Sequence, residues 1–192
     1  ISAPLQPLLW LIKTMLSEPV ILSLFAPVWA IMVYIVSLFY GLLLLYAGFR
    51  FMMSGHDVQM RADAKEWLRN IFLMVVLVQA SFFLYSLVVT INASLTAGVL
   101  GMVDNSFFTL TLDNALNVQF QLVFWVLYLV QLLVTALLLF IRYILVAVGV
   151  IVMPLGIFLF FVPPLKEYGL MVMNFFGVII FMTFFDALIL LV

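Results

Sequence analysis

Between residues 118 and 162 the chain carries one charged side chain, Arg142, in an otherwise apolar run. A soluble domain cannot hide such a stretch and still present a hydrated surface. A helix needs about 20 predominantly apolar residues to cross a hydrocarbon core of about 30 Å. At about 1.5 Å per residue this run is too long for one span and barely enough for two joined by a tight turn. Apolar runs of spanning length also cover residues 20–48, 70–100 and 170–192. Composition agrees: 69% of the 192 residues are hydrophobic and only 8% are charged, against about 25% charged in a soluble domain. The sequence therefore specifies an all-α polytopic membrane protein, a single membrane domain with four or five hydrophobic spans.

Two readings of 118–162 follow. Either the chain turns near Arg142 at the cytoplasmic face, or one long helix carries Arg142 deep and is broken at Pro154 and Gly156 into a half-membrane piece. Pro163 and Pro164 end the run in either case, because proline lacks an N–H and restricts the residue before it.

Charge fixes the expected orientation. Of the seven Lys and Arg residues, Arg50, Arg61, Lys65 and Arg69 fall in the 49–69 segment, whereas 101–117 holds Asp104 and Asp113 with no Lys or Arg. The positive-inside rule puts the first segment in the cytoplasm and the second outside. Ser54 and Gly55 supply a helix stop, and Asp57 is placed to cap a new helix. Arg61, Lys65 and Arg69 are four apart and share a helical face, so each is expected to meet anionic lipid headgroups, an acidic cytoplasmic partner or DNA. For headgroups the contribution is about 1 kcal/mol per basic residue. Residues 1–19, with Pro4, Pro7 and Pro19, suit an interfacial helix better than a span. They lack a basic n-region followed by a cleavage site, which argues against a retained signal peptide.

Catalytic chemistry finds little to work with. The chain has no Cys and a single His, His56, so thiolate chemistry, Cys-based metal sites and His clusters are excluded, and no phosphate-binding glycine loop is present. No metal or cofactor is expected, and any energy source must lie elsewhere. The polar residues inside the apolar runs carry more information. Gln121, Tyr128, Thr135 and Arg142 are spaced by seven, with Gln131 four before Thr135. A seven-residue spacing drifts only about 20° per heptad, so these groups form one stripe that packs against other helices or lines a hydrated lumen. Arg142 and Asp186 are the candidate intramembrane charges, and a charge at bilayer centre costs at least about 2.5 kcal/mol on insertion scales, so their mutual pairing is the cheapest arrangement if both are deep. Ala93, Ala97 and Gly101, with Ser94 and Gly98 beside them, form a small-residue surface for close helix packing. Asn92-Ala93-Ser94 is also an N-glycosylation sequon on the expected outer end.

Two segments carry a resemblance. "YAGFRFMMSGHDVQMRADAKEWLRN" resembles the cytoplasmic turn of type IV secretion membrane components, where a basic helix end and a Ser-Gly turn precede an Ala-Lys-x-Trp-Leu entry into the next span. "FIRYILVAVGVIVMPLGIFLFFVPPLKEYG" is similar to the TrbL-like family of polytopic channel subunits, including the membrane proteins of archaeal Ced DNA import, in which an Arg-Tyr pair precedes a Pro-Leu break and a second proline with a nearby Lys. Arg142, Tyr143, Pro154, Leu155, Pro163 and Lys166 fall on that pattern, and the two segments cover under a third of the chain. The resemblance implies a plasma-membrane subunit of a DNA or protein translocation apparatus, assembled with itself and with small pilin-like membrane proteins and served by a cytoplasmic ATPase. Unlike many members, this chain has no large soluble region. The residues themselves also admit a small-solute or ion transporter, with Asp186, Asn174 and the Pro154 break forming a midplane site, or a non-conducting scaffold. Against the transporter, the chain lacks the two related halves common in such proteins.

Overall fold

The computed structural model describes residues 21–55, 58–102 and 118–191, and all four of its long helices are long and apolar enough to cross a membrane. The protein is an all-α, multi-pass membrane protein. A short 3-10 turn, Leu22–Phe25, leads into α1, Ala26–Met53. Helix α2 is Val58–Leu100, α3 is Val118–Phe161, and a second 3-10 turn, Pro163–Leu165, opens α4, Lys166–Leu191. Expected features at residues 1–19, at His56 and Asp57, and in the acidic segment with Asp104 and Asp113 lie outside the described residues.

The punctuation follows the local chemistry. Pro27 stands in the first turn of α1, where the missing N–H would have had no helical partner. That helix ends at Ser54, whose hydroxyl donates to the Phe51 carbonyl at 2.7 Å. The basic segment is largely helical, as the four-residue spacing of its cations leads one to expect: α2 begins at Val58, so Arg61, Lys65 and Arg69 lie in its first turns. Helix α3 is the single long helix of the second reading, without the break that reading placed in it. The 44-residue helix runs without interruption through Arg142 and Pro154. There is no turn at Arg142 and no half-membrane break at Pro154 and Gly156. At about 66 Å it is more than twice as long as a hydrocarbon core is thick. It stops where the two prolines require: Val162 adopts φ −88°, ψ 108°, the extended conformation that a following proline imposes.

The described residues divide into two compact units: 21–55 and 58–88 with 147–178, and 89–102 and 118–146 with 179–191. In the first unit, Val33, Val36, Ala47, Ile71, Met74, Val78 and Ile157 form the core. Aromatic side chains tie its helices together. Trp29 meets Phe82 at 5.4 Å, Phe39 meets Phe158 at 5.7 Å, and Tyr46 meets Trp67 edge-on at 5.1 Å, pairs worth about 0.5–1.5 kcal/mol beyond their burial. The Trp29 indole N–H donates to Ser81 Oγ at 2.9 Å, and that hydroxyl donates onward to the Val78 carbonyl. A buried polar pair is thereby satisfied in an apolar setting.

Gly156 of α3 and Gly169 of α4 are packing devices. A Cβ on Gly169 would collide with the backbone of Phe160 and with the Gly156 carbonyl, and one on Gly156 would lie 2.9 Å from Val172 Cγ1. Gly156 therefore admits α4 to close approach, the role small residues play in helix association within lipid. Pro154 is fully buried beside it.

In the second unit the buried apolar residues include Val89, Leu100, Leu132, Leu139, Val146, Ile180 and Ala187. Several buried or half-buried polar groups interrupt this packing.

Candidate functional site

The polar groups of the second unit converge on α4. Asn92, 2% exposed, donates through Nδ2 to Thr183 Oγ1 at 3.0 Å. Thr96, one helical turn on and fully buried, donates to the Asn92 carbonyl at 2.8 Å. Arg142, half-buried, donates from Nε to the Ile179 carbonyl at 3.2 Å and from a terminal nitrogen to the Ile180 carbonyl at 3.0 Å. Asp186, also half-buried, lies within electrostatic reach of Arg142. It stands three residues after Thr183, so the two share a face of α4.

The guanidinium solves its solvation problem with backbone. A helical carbonyl has two lone pairs and uses one for its own i+4 amide, so Ile179 and Ile180 can each accept a second hydrogen bond without losing helix. The fork of Arg spans adjacent carbonyls as a Lys cannot. Arg142 thus fastens α3 to α4 directly, with the Asp186 carboxyl in its neighbourhood. Asp186 is an electrostatic neighbour of Arg142 rather than the acceptor of the two hydrogen bonds described, which go to carbonyls.

One group in this cluster is left over. The Oδ1 of Asn92 is buried and accepts no hydrogen bond from a described residue, an arrangement that costs about 1–3 kcal/mol.

The expected polar stripe is only partly assembled. Gln121 and Tyr128 fall outside the described side chains. Gln131 is exposed, and Thr135 turns its hydroxyl back to the Gln131 carbonyl at 2.9 Å. That hydrogen bond within one turn is a common way for threonine to satisfy itself in a helix. Asn92 was legible only as a sequon, and its burial and its bond to Thr183 correct that reading, because a glycosylation acceptor must be accessible. The signal missed was Asn92 and Thr96, four apart in an apolar run, which marks a polar line on one buried face; Thr183, three before Asp186, is the same signal in α4.

The first unit carries the basic surface. Arg61, Lys65 and Arg69 are exposed on one face of α2, with Ala64 buried behind them. Arg61 donates to the Gly55 carbonyl at 2.8 Å, which pins the turn between α1 and α2. Arg69 meets Glu66 at 3.6 Å, both exposed, a contact worth little in water. Arg50 sits 5.9 Å over the Tyr46 ring, and Lys166 sits 5.6 Å over Phe160, which anchors two more cations against aromatic faces.

No family model matches the chain, and no curated protein or solved structure matches it. The described residues contain no group of His, Cys, Asp and Glu that would hold a metal ion. What the two clusters offer chemically is binding. One joins a buried amide and two buried threonines to a half-buried arginine and carboxylate, and the other is an exposed row of cations.

Proposed function

We propose that the chain is a non-enzymatic integral subunit of a type IV secretion-like DNA translocation apparatus, TrbL-like and of the kind used in archaeal Ced DNA import, which forms or scaffolds the transmembrane passage for import or conjugation. The observation that carries this reading is the polar array of Asn92, Thr96, Arg142, Thr183 and Asp186 inside an otherwise apolar helical unit. Ionisable residues in such positions usually mark a transport path or its assembly. The resemblance of the segments around Arg61 and Arg142 supports the same reading. The protein sits in the plasma membrane with its basic row in the cytoplasm, where it meets lipid headgroups, DNA or a separate ATPase. Small pilin-like membrane proteins and further copies of the chain complete the assembly.

The test is DNA transfer between cells in a strain lacking the gene, complemented by the intact protein or by Arg142→Leu. The proposal expects transfer to be lost without the gene, restored by the intact chain and not restored by Arg142→Leu, with normal growth throughout. Unimpaired transfer in the deletion strain ends it. One observation favours a second reading, a small-solute or ion transporter subunit: the unpartnered Oδ1 of Asn92. Stabilisation of the detergent-solubilised protein by one solute, lost in Asn92→Leu, would favour that reading.

A further inference from the structure

We infer that Arg142 fixes the direction of the Thr183 hydroxyl and so couples α3 to α2 through α4, a latch in which three helices share one hydrogen-bond relay. Ile179 and Ile180, whose carbonyls accept from Arg142 at 3.2 and 3.0 Å, stand four and three residues before Thr183. Those are the two carbonyls to which a helical threonine ordinarily turns its own hydroxyl. Thr96 does so to Asn92 and Thr135 to Gln131, four residues back, and Ser37, Ser54 and Ser81 donate to carbonyls three residues back. Thr183 departs from that habit. Its described hydrogen bond is the one it accepts from Asn92 Nδ2 at 3.0 Å.

The cause is occupancy. A carbonyl oxygen has two lone pairs, and at Ile179 and Ile180 one serves the helix's own amide and the other the guanidinium. Neither carbonyl can take a third donor, so the hydroxyl turns from its backbone and serves α2 as an acceptor. Asn92 and Thr183 are 2% and 1% exposed, so solvent does not replace the contact. With Arg142 withdrawn, the Ile179 carbonyl is open again. Turning back to it takes Thr183 to another staggered χ1, a swing of about 120° that carries the oxygen away from Asn92. Arg142 is thus a positioning residue for a contact it does not make itself. The Asp186 carboxyl, three residues after Thr183 and in electrostatic reach of Arg142, is the alternative acceptor. It completes a second arrangement in which Arg142 moves along α4, Thr183 closes on its own backbone and α2 is released. The observed arrangement leaves Asn92 Oδ1 without a donor among the described residues, which narrows its advantage over the second, as a bistable element requires. This latch goes beyond the passage reading and does not rest on it.

The experiment follows the Asn92 side-chain amide by NMR in the intact, detergent-solubilised chain, with its signal assigned by its loss in Asn92→Leu. Arg142→Lys keeps the charge but cannot span two adjacent carbonyls. It is expected to move the Asn92 amide protons upfield, the direction of a lost acceptor, whereas Asp186→Asn, which leaves Arg142 on the carbonyls, is expected to leave them in place. Unfolding of the same proteins gives a double-mutant cycle. Arg142→Lys with Asn92→Leu is expected to show a coupling of at least about fivefold in the unfolding equilibrium constant, as residues of one network do, although none of the described hydrogen bonds joins the two directly. Arg142→Lys with Thr96→Val is expected to be additive. Arg142→Gln, which can fill only one carbonyl, takes the place of Arg142→Lys if that variant does not fold. The unaltered chain supplies a readout that needs no variant: the χ1 of Thr183 is expected to differ from that of Thr96 and Thr135. An Asn92 signal unmoved by Arg142→Lys, an additive Arg142–Asn92 cycle, or one χ1 shared by all three threonines would overturn the inference. None of these readouts is transport, so a negative result leaves the DNA-transfer test standing.

Discussion

Gly169→Ala and Gly177→Ala are the same chemical change in the same helix, and they should have opposite effects on stability. At Gly169 the new Cβ would stand 2.6 Å from Phe160 Cα and 2.8 Å from the Gly156 carbonyl oxygen, with the Phe160 amide nitrogen closer still. Carbon atoms pack best at about 3.5–4.0 Å, so α3 and α4 must separate by about 1 Å. All three obstacles are backbone atoms, so no side-chain rotation relieves the clash, and the cost falls at the upper end of the about 1–3 kcal/mol typical of overpacking. Replacing glycine in a helix interior returns about 1 kcal/mol of propensity, which leaves a net loss of about 2 kcal/mol. At Gly177 nothing lies within 4 Å of the added carbon, so only the gain of about 1 kcal/mol remains. For a chain of this size each kcal/mol moves the midpoint by about 2–4 °C. Thermal unfolding in detergent should therefore show Gly169→Ala down by about 4–8 °C and Gly177→Ala up by about 2–4 °C. Equal shifts of the same sign would refute the close approach of α4 to α3.

The polar array and the basic face yield three further expectations. Thr183→Val should cost about 1–3 kcal/mol by stranding the Asn92 amide, whereas the double variant with Asn92→Leu should cost clearly less than the sum of the two, as a double-mutant cycle in detergent would show. Asp186→Leu should destabilise by only about 1–2 kcal/mol, below the about 3–5 kcal/mol typical of a broken buried pair, because Arg142 keeps its bonds to Ile179 and Ile180; a larger loss would make the carboxylate the principal partner. On the basic face, neutralising Arg61, Lys65 and Arg69 should flatten the salt dependence of DNA binding measured on the purified protein, and an unchanged slope would identify lipid as what those side chains meet.

Much of this architecture was legible from residue order alone. The four spans follow from apolar runs, the stop at Val162 from the prolines after it, and the shared face of Arg61, Lys65 and Arg69 from their spacing. What misled was the weight given to Pro154 and Gly156. A proline inside a long apolar helix removes one hydrogen bond but can be held by packing, and here it is fully buried; the glycine answers to Val172 on a neighbouring helix. Such a reason is tertiary, so it has no trace in local sequence. The same holds for Arg142. Its isolation in an apolar run announced that it must have partners, yet the partners are main-chain carbonyls, which every residue possesses and no sequence pattern marks. Asn92 was hidden for a different reason: its three-residue context matched an extracellular modification signal, and only its contact with Thr183, distant in sequence, reveals an interior role.

The central claim is that four helices cross the membrane, so the turn after α1 and the turn after α3 face the same side. Native Cys is absent, so Gly55→Cys and Leu165→Cys can be introduced separately and labelled in intact cells with a membrane-impermeant thiol reagent, before and after the membrane is opened. The account predicts that both are protected in intact cells and both react once the membrane is opened. Labelling of one in intact cells and not the other would put the two turns on opposite faces and contradict it.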